Sequence, residues 1–238
     1  MQITQSAAAP SSALRATSKD PFRFLPPSPH ASMTHPTLKI TYFDLVGRAE
    51  LTRLALCVAG IPFEDERLTR DQFAIIKPSL PFKQLPALTV GNEVFAQSLA
   101  MSRYAGRLAG LYPADALDAF RVDEILGASD DTLAKLGPSL REQDTAKRSA
   151  MRQELSATLP EHFACIEARL ATHKGPYFLG DALTIADLEL YASRQMIRSG
   201  WLDGIPTGIL DAYPRWNAIA DAVAAHPNVA AWEAAHKA

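Results

Sequence analysis

The apolar positions change period partway along the chain. Between Leu38 and Leu108 they fall in short blocks broken by turn residues; after Ala114 they recur only at helical spacing. Leu38-Lys39-Ile40-Thr41-Tyr42-Phe43 reads as a strand. Gly47 and Arg48 open a helix running to about Gly60, with Leu51, Leu54, Ala55 and Val58 on one face and Gly60 as its stop. Phe63 to Leu68 reads as a second strand, and Arg70 to Ile76 as a short helix or irregular arm. Ala87-Leu88-Thr89-Val90 and Val94-Phe95-Ala96 flank a Gly91-Asn92 turn, and a helix covers Leu99 to Leu108. The order is βαβ, a link, then ββα. After the linker Leu111-Tyr112-Pro113, helical patterns span Ala116 to Arg141 and Thr145 to Thr172. In Leu183-Thr184-Ile185-Ala186-Asp187, Thr184 is an N-cap and Asp187, three residues on, completes a carboxylate variant of the capping box, a folding element. Two more helices fit Tyr213 to Ala225 and Asn228 to His236.

Two spots on this scaffold carry binding chemistry. Pro86 precedes the third strand, where a residue without an N–H belongs at a strand start or edge. A cis Leu85–Pro86 bond would turn the Leu85 backbone outward, free to pair with a peptide as if with another strand. The second spot is Gln97-Ser98, between a strand and an apolar-periodic helix. Ser98 reads as the N-cap, and a helix N-terminus receives anions. A peptide-pairing strand beside a carboxylate-binding helix start points to a small acidic peptide ligand.

Length and charge narrow the class. The 238 residues suit one large or two small domains, and a formal net charge of −2 offers no basic stripe for nucleic acid. No apolar run approaches the roughly 20 residues of a membrane span. Cys57 and Cys165 lie far apart inside helical patterns, which favours a reducing compartment, disfavours a disulfide framework or zinc site, and makes both small core residues. Residues 1–36 are rich in Ser, Ala and Pro, with Arg15, Lys19 and Arg23 against Asp20, and lack the apolar core of a secretory signal. They read as a disordered extension, as sequence ahead of an internal start at Met33, or as an organellar transit segment.

Residues 37–238 resemble the glutathione transferases, and within them the sigma class that includes the glutathione-dependent prostaglandin D synthases. Three blocks in order carry the resemblance: Thr41-Tyr42-Phe43 leading to Gly47-Arg48-Ala49-Glu50; Ser79-Leu80-Pro81-Phe82 through Gln84-Leu85-Pro86; and Gln97-Ser98-Leu99-Ala100-Met101-Ser102-Arg103-Tyr104. The fold it implies is a thioredoxin-like α+β N-terminal domain, residues 37–112, followed by an all-α C-terminal domain, residues 114–238. The resemblance implies that the Tyr42 hydroxyl donates to the glutathione sulfur, with Arg48 in electrostatic support. Leu85, beside Pro86, would pair with the cysteinyl backbone. Gln97 and Ser98 would hold the γ-glutamyl group, Gln84 would add a polar contact, and Lys77 would reach the glycyl carboxylate. Asp131 would reach the glutathione of a neighbouring subunit in a homodimer. Two positions depart from the pattern. Phe73 stands where a tryptophan usually donates to the glycyl carboxylate, and Lys83 replaces a small glycine, either adding charge at the rim or altering the turn.

The resemblance therefore implies a cytosolic detoxification enzyme. It would need no cofactor or metal beyond glutathione as co-substrate, and would join the thiolate to small apolar electrophiles. The alternatives are a glutathione-dependent isomerase of the prostaglandin D synthase kind, a peroxidase, or a non-catalytic ligand-binding or structural protein on the same fold. A cysteine-dependent oxidoreductase is disfavoured, because Phe43-Asp44-Leu45-Val46-Gly47 holds no cysteine. A free thiol of pKa about 8.5 is only about 3% thiolate at pH 7. Lowering that pKa by roughly two units raises the thiolate about 25-fold, while its weaker basicity returns a factor of roughly seven to ten. Most rate enhancement must come from holding the thiolate against a bound electrophile. That second site is expected between Phe43 and the first long helix of the second domain.

Overall fold

The computed structural model describes residues 35–236, so the reading of residues 1–36 lies almost wholly outside the described residues. The first region holds β1 (Leu38–Phe43), α1 (Glu50–Val58), β2 (Glu64–Leu68), α2 (Arg70–Ile76), β3 (Ala87–Val90), β4 (Glu93–Ala96) and α3 (Ser98–Leu108). The second is helical throughout: α4 (Ala116–Arg141), α5 (Thr145–Leu170), α6 (Ile185–Arg198), α7 (Pro214–Ala224) and α8 (Pro227–Ala235). This is the α+β sheet part followed by the all-α part that the apolar spacing predicts.

The four strands form one mixed sheet in the order β2-β1-β3-β4, with β1 parallel to β2 and antiparallel to β3. Its register matters most for function. Thr41 faces Ala87, and Ala87 faces Ala96. Tyr42, Leu85–Pro86 and Gln97–Ser98 each lie just past those partners, so three sequence-distant segments arrive at one end of the sheet. Tyr42 also faces Arg67 on parallel β2, which sends α2, with Phe73 and Lys77, off the same end.

Helix α1 begins later than expected, at Glu50, because Gly47–Ala49 form a turn in which the Gly47 carbonyl accepts from the Glu50 N–H (2.9 Å). Every residue from Glu50 to Cys57 is buried. Its packing explains this: α1 meets α3 on one side and α6 and α8 of the helical region on others. The helix is therefore the hinge line of the core rather than a surface amphipath. The helical region starts its long helices on side-chain caps: Asp115 accepts from the N–H groups of Leu117 and Asp118, and Asp144 from those of Ala146 and Lys147. At α6 the expected capping box forms around a buried carboxylate: Asp187 accepts from the Thr184 N–H and hydroxyl, both at 2.8 Å, and from the Phe178 N–H at 2.6 Å. Burial pushes the Asp187 pKa up, against the pull of those donors.

One expectation needs correcting. Cys57 is buried as anticipated, and burial, with the nearby Glu50 charge, pushes its thiol up to about 12. Cys165, however, is exposed. The buried stripe of α5 runs through Phe163, Ile166 and Leu170; Cys165, two residues from Phe163, falls on the opposite face. Lys83, left open between added charge and an altered turn, has an unusual backbone. It lies in the left-handed region (φ 53°), next to Phe82 (φ 55°). A glycine suits that backbone and a lysine does not. Lys83→Gly is expected to raise stability by about 1 kcal/mol or somewhat less, read as a higher urea midpoint at unchanged slope.

Candidate active site

Tyr42 ends the inward-facing set of β1, after Leu38 and Ile40, and only 8% of its surface is exposed. Its hydroxyl oxygen accepts a hydrogen bond from the Arg48 backbone N–H at 3.4 Å. Gly47 makes that approach possible: a Cβ there would stand 3.0 Å from the Tyr42 hydroxyl and 3.0 Å from Leu45 Cδ1. Burial raises the Tyr42 pKa, against the Arg48 N–H and the Arg48 and Arg53 charges, which pull it down. The phenol therefore stays protonated at neutral pH. With its oxygen accepting from backbone, its O–H is left to donate to a ligand.

The Arg48 side chain is engaged elsewhere as well. It forms an ion pair with Asp130 of α4, joining the β1–α1 turn to the helical region. The neighbouring Asp131, the acidic residue expected in the site, is exposed and forms no ion pair among the described residues. The acidic pair thus divides: Asp130 pairs with Arg48, and Asp131 is exposed.

The Leu85–Pro86 bond is cis, as anticipated, and the strand ladders begin only at Ala87, leaving Leu85 outside them. At the helix start, one expectation is overturned. Gln97, not Ser98, is the residue ahead of the first turn of α3; it takes φ 74° and makes no side-chain cap, while Ser98 is the first helical residue. Ser98 meets Gly47, Arg48 and Asp130 around a crevice of about 20 Å³, so the helix start and the Tyr42 turn share one pocket. Gln84 is exposed beside half-buried Leu85. Phe73 packs edge-on against Phe43, ring centroids 5.4 Å apart, and the exposed Lys77 ammonium lies 5.7 Å from the Phe73 ring centre. The tryptophan-to-phenylalanine departure keeps an aromatic wall and loses its N–H.

Three residues to which the sequence reading gave no role in the site support this arrangement. Gly47 is one. Arg53 is another: fully buried on α1, it donates to the carbonyls of Leu45 (3.1 Å) and Phe43 (3.4 Å), to Glu50 (3.1 Å) and to Asp65 of β2 (2.9 Å). It thereby fixes the chain on both sides of the Tyr42 turn. Glu50 in turn accepts from the Trp232 indole of α8 at 3.0 Å. An arginine with a glutamate three residues earlier, inside an otherwise apolar helix, was the available signal. Asp130 is the third; only its place beside Asp131 marked it. No group of three or more His, Cys, Asp or Glu suited to a metal occurs among the described residues, and no described helix is long and apolar enough to cross a membrane.

Residues 38–107 match the family model described as "Glutathione S-transferase, N-terminal domain", and residues 130–236 match "Glutathione S-transferase, C-terminal domain". Glutathione S-transferase 1 of Ascaris suum is 34% identical, over 83% of this chain and 95% of its own length. Hematopoietic prostaglandin D synthase of Gallus gallus is also 34% identical, with the same coverage. The solved structure of prostaglandin synthase D of Nilaparvata lugens superposes with a TM-score of 0.74 at 29% identity, over 83% of this chain and 96% of that one.

Proposed function

The chain belongs to the glutathione S-transferase family, and from that premise we propose that it joins the glutathione thiolate to an electrophilic carbon of small apolar substrates, forming a thioether. The observation that carries the reading is the Tyr42 hydroxyl: protonated, held by the Arg48 N–H, and placed at the sheet end where Leu85–Pro86 and Gln97–Ser98 converge. The phenol donates to the sulfur and favours the thiolate over the thiol. Leu85 pairs with the cysteinyl backbone. Ser98 and the first N–H groups of α3 take the γ-glutamyl carboxylate, with Gln97 and Gln84 at its flanks. Lys77, above Phe73, takes the glycyl carboxylate. Arg48 contributes charge through its place in the turn, with its side chain committed to Asp130. A detoxifying role follows from the substrate class, and the two unpaired thiols support a cytosolic location.

The 34% identity to a prostaglandin D synthase favours one second reading, isomerisation with glutathione regenerated. Products separate the two. Purified enzyme with glutathione is expected to give a thioether from an aryl halide; an isomer alone from a prostaglandin endoperoxide would shift the assignment, and oxidised glutathione from an organic hydroperoxide would mark a peroxidase.

We further propose a twofold homodimer in which Asp131 accepts from the amino group of the partner's glutathione. Exposed Phe82 (71%) and the exposed Val94 and Phe95 of edge strand β4 (42% each) offer an apolar surface for a second copy. A charge-assisted contact of this kind contributes about 1.5–3 kcal/mol, so Asp131→Asn should weaken glutathione binding roughly tenfold or more without dissociating the dimer. Mixing a Ser98→Ala chain with an Asp131→Asn chain decides whose site Asp131 completes. A shared site puts both lesions in one pocket of the heterodimer and leaves the other at wild-type affinity. Two singly impaired sites would assign Asp131 to its own chain, and a monomer by light scattering would remove the idea.

A further inference from the structure

Helix α6 borders the first region with Glu189, Ala192, Ser193 and Met196, and Glu189 is the ionisable one. Glu189 interrupts Leu188 and Leu190 and is only partly exposed. It borders two crevices between the regions, of about 20 and about 10 Å³, each with room for about one water. Across the first it meets Arg48, Ser98 and Asp130; across the second, Val46 and Leu133. Gly47 lines both, and Gly47 is also the residue against which the Tyr42 hydroxyl rests. Gly47 therefore borders both the crevices that Glu189 lines and the phenol.

The charged groups acting on Glu189 are few. Asp130 faces it from α4 and Arg48 from the β1–α1 turn, and these two are already paired with each other. Helix α1 presents Leu51 to the crevice and α3 presents Ser98 and Ser102, all uncharged. Elsewhere on α6, Arg194 is bound to Asp221 of α7, and Arg198 to Asp211. The bond Glu189 accepts from its own helix comes from the Ser193 hydroxyl, at 3.1 Å. Crowding around the carboxyl pushes its pKa up to about 7; the Ser193 donor opposes this, Asp130 adds to it, and Arg48 pulls it down.

We propose that Glu189 is an electrostatic positioning residue for the thiolate, acting across Gly47 and through Arg48: it carries a proton while the thiolate occupies the site, and its ionisation in the empty site opposes glutathione binding. This rests on the reading that the glutathione sulfur sits at Tyr42. The Glu189 carboxylate and the thiolate are two anions served by one already compensated arginine, so each disfavours the other. Linkage makes the effect reciprocal. When glutathione binds above neutral pH, the S–H bond breaks and an O–H bond forms on Glu189. The bound complex then releases less than one proton to solvent for each thiolate formed.

Two measurements on the full chain test this: the ultraviolet absorbance of the bound thiolate, and the proton count on glutathione binding from calorimetry in buffers of different ionisation enthalpy. In wild type, the protons released at about pH 7.5 should fall short of the thiolate formed. In Glu189→Gln, which keeps the shape and cannot ionise, the two should be equal. Between about pH 6 and about pH 8.5, wild-type affinity should decline about tenfold relative to Glu189→Gln, the equivalent of one pKa unit of coupling. Ser193→Ala, which leaves the carboxyl ionisable and removes its donor, should move that decline to higher pH and guards against misreading a folding defect in the glutamine variant. Equal proton counts and parallel affinity curves in wild type and Glu189→Gln would overturn the proposal. A wild-type complex that binds glutathione and shows no thiolate would instead overturn the assignment of the sulfur to Tyr42, and this inference with it.

Discussion

Arg53→Leu unfolds about 3–5 kcal/mol more easily than wild type, the cost of leaving buried carboxylates without their cation. Arg53 is fully enclosed, and its loss strands Glu50, 5% exposed, beside the Phe43 and Leu45 carbonyls. Asp65 keeps Arg67, and Glu50 keeps the Trp232 indole, which places the expected loss toward the lower end. Urea unfolding at neutral pH gives the value. The double variant Arg53→Leu/Glu50→Leu should recover part of the loss, because it removes the stranded charge along with its partner. If the single variant costs no more than an ordinary surface change, below about 0.5 kcal/mol, Arg53 does not hold the turn.

Tyr42→Phe should alter the chemistry while sparing the fold. The ring stays, packed near Phe43 with centroids 5.6 Å apart, and only the hydroxyl goes. The bound thiol then loses its donor, and the midpoint of the pH–rate curve should move alkaline by roughly two units, or about 2.7 kcal/mol of differential stabilisation. Turnover at pH 7 should fall at least a few-fold, the thiolate lost being partly offset by the greater nucleophilicity of what remains. Glutathione affinity at low pH should stay near wild type, because Leu85, Gln97 and Ser98 still hold the peptide. An unshifted pH profile would take Tyr42 out of the mechanism.

The sheet segments are legible in the sequence because short apolar blocks are written locally, and the candidate glutathione end is suggested there by a proline before a strand and a polar pair before a helix. It did not show Gly47, Arg53, Asp130 or Glu189 at work, because each acts across elements far apart in the chain. Asp130 lies 82 residues from Arg48, and Glu189 farther still. Ser98 stands one position past the N-cap for a smaller reason: helix starts are ambiguous by a residue or two, and Gln97 enters the helix at φ 74° with no side-chain bond to announce it. Cys165 was misread because a cysteine within an apolar-rich helix does not itself say which face it occupies.

The bond from Trp232 to Glu50, with that from the Asn228 side chain to the carbonyl of Val58 (3.0 Å), means that the last helix is masonry in the foundation of the first. The two halves are consequently not interchangeable cartridges. A chimaera grafting residues 35–112 onto a foreign helical half would carry every side chain proposed to face glutathione except Asp131, yet it would leave Glu50 and the end of α1 without their keystone. Affinity selections on such grafts should therefore return repairs in the foreign tail, at the positions replacing Asn228 and Trp232, before any change in the pocket itself.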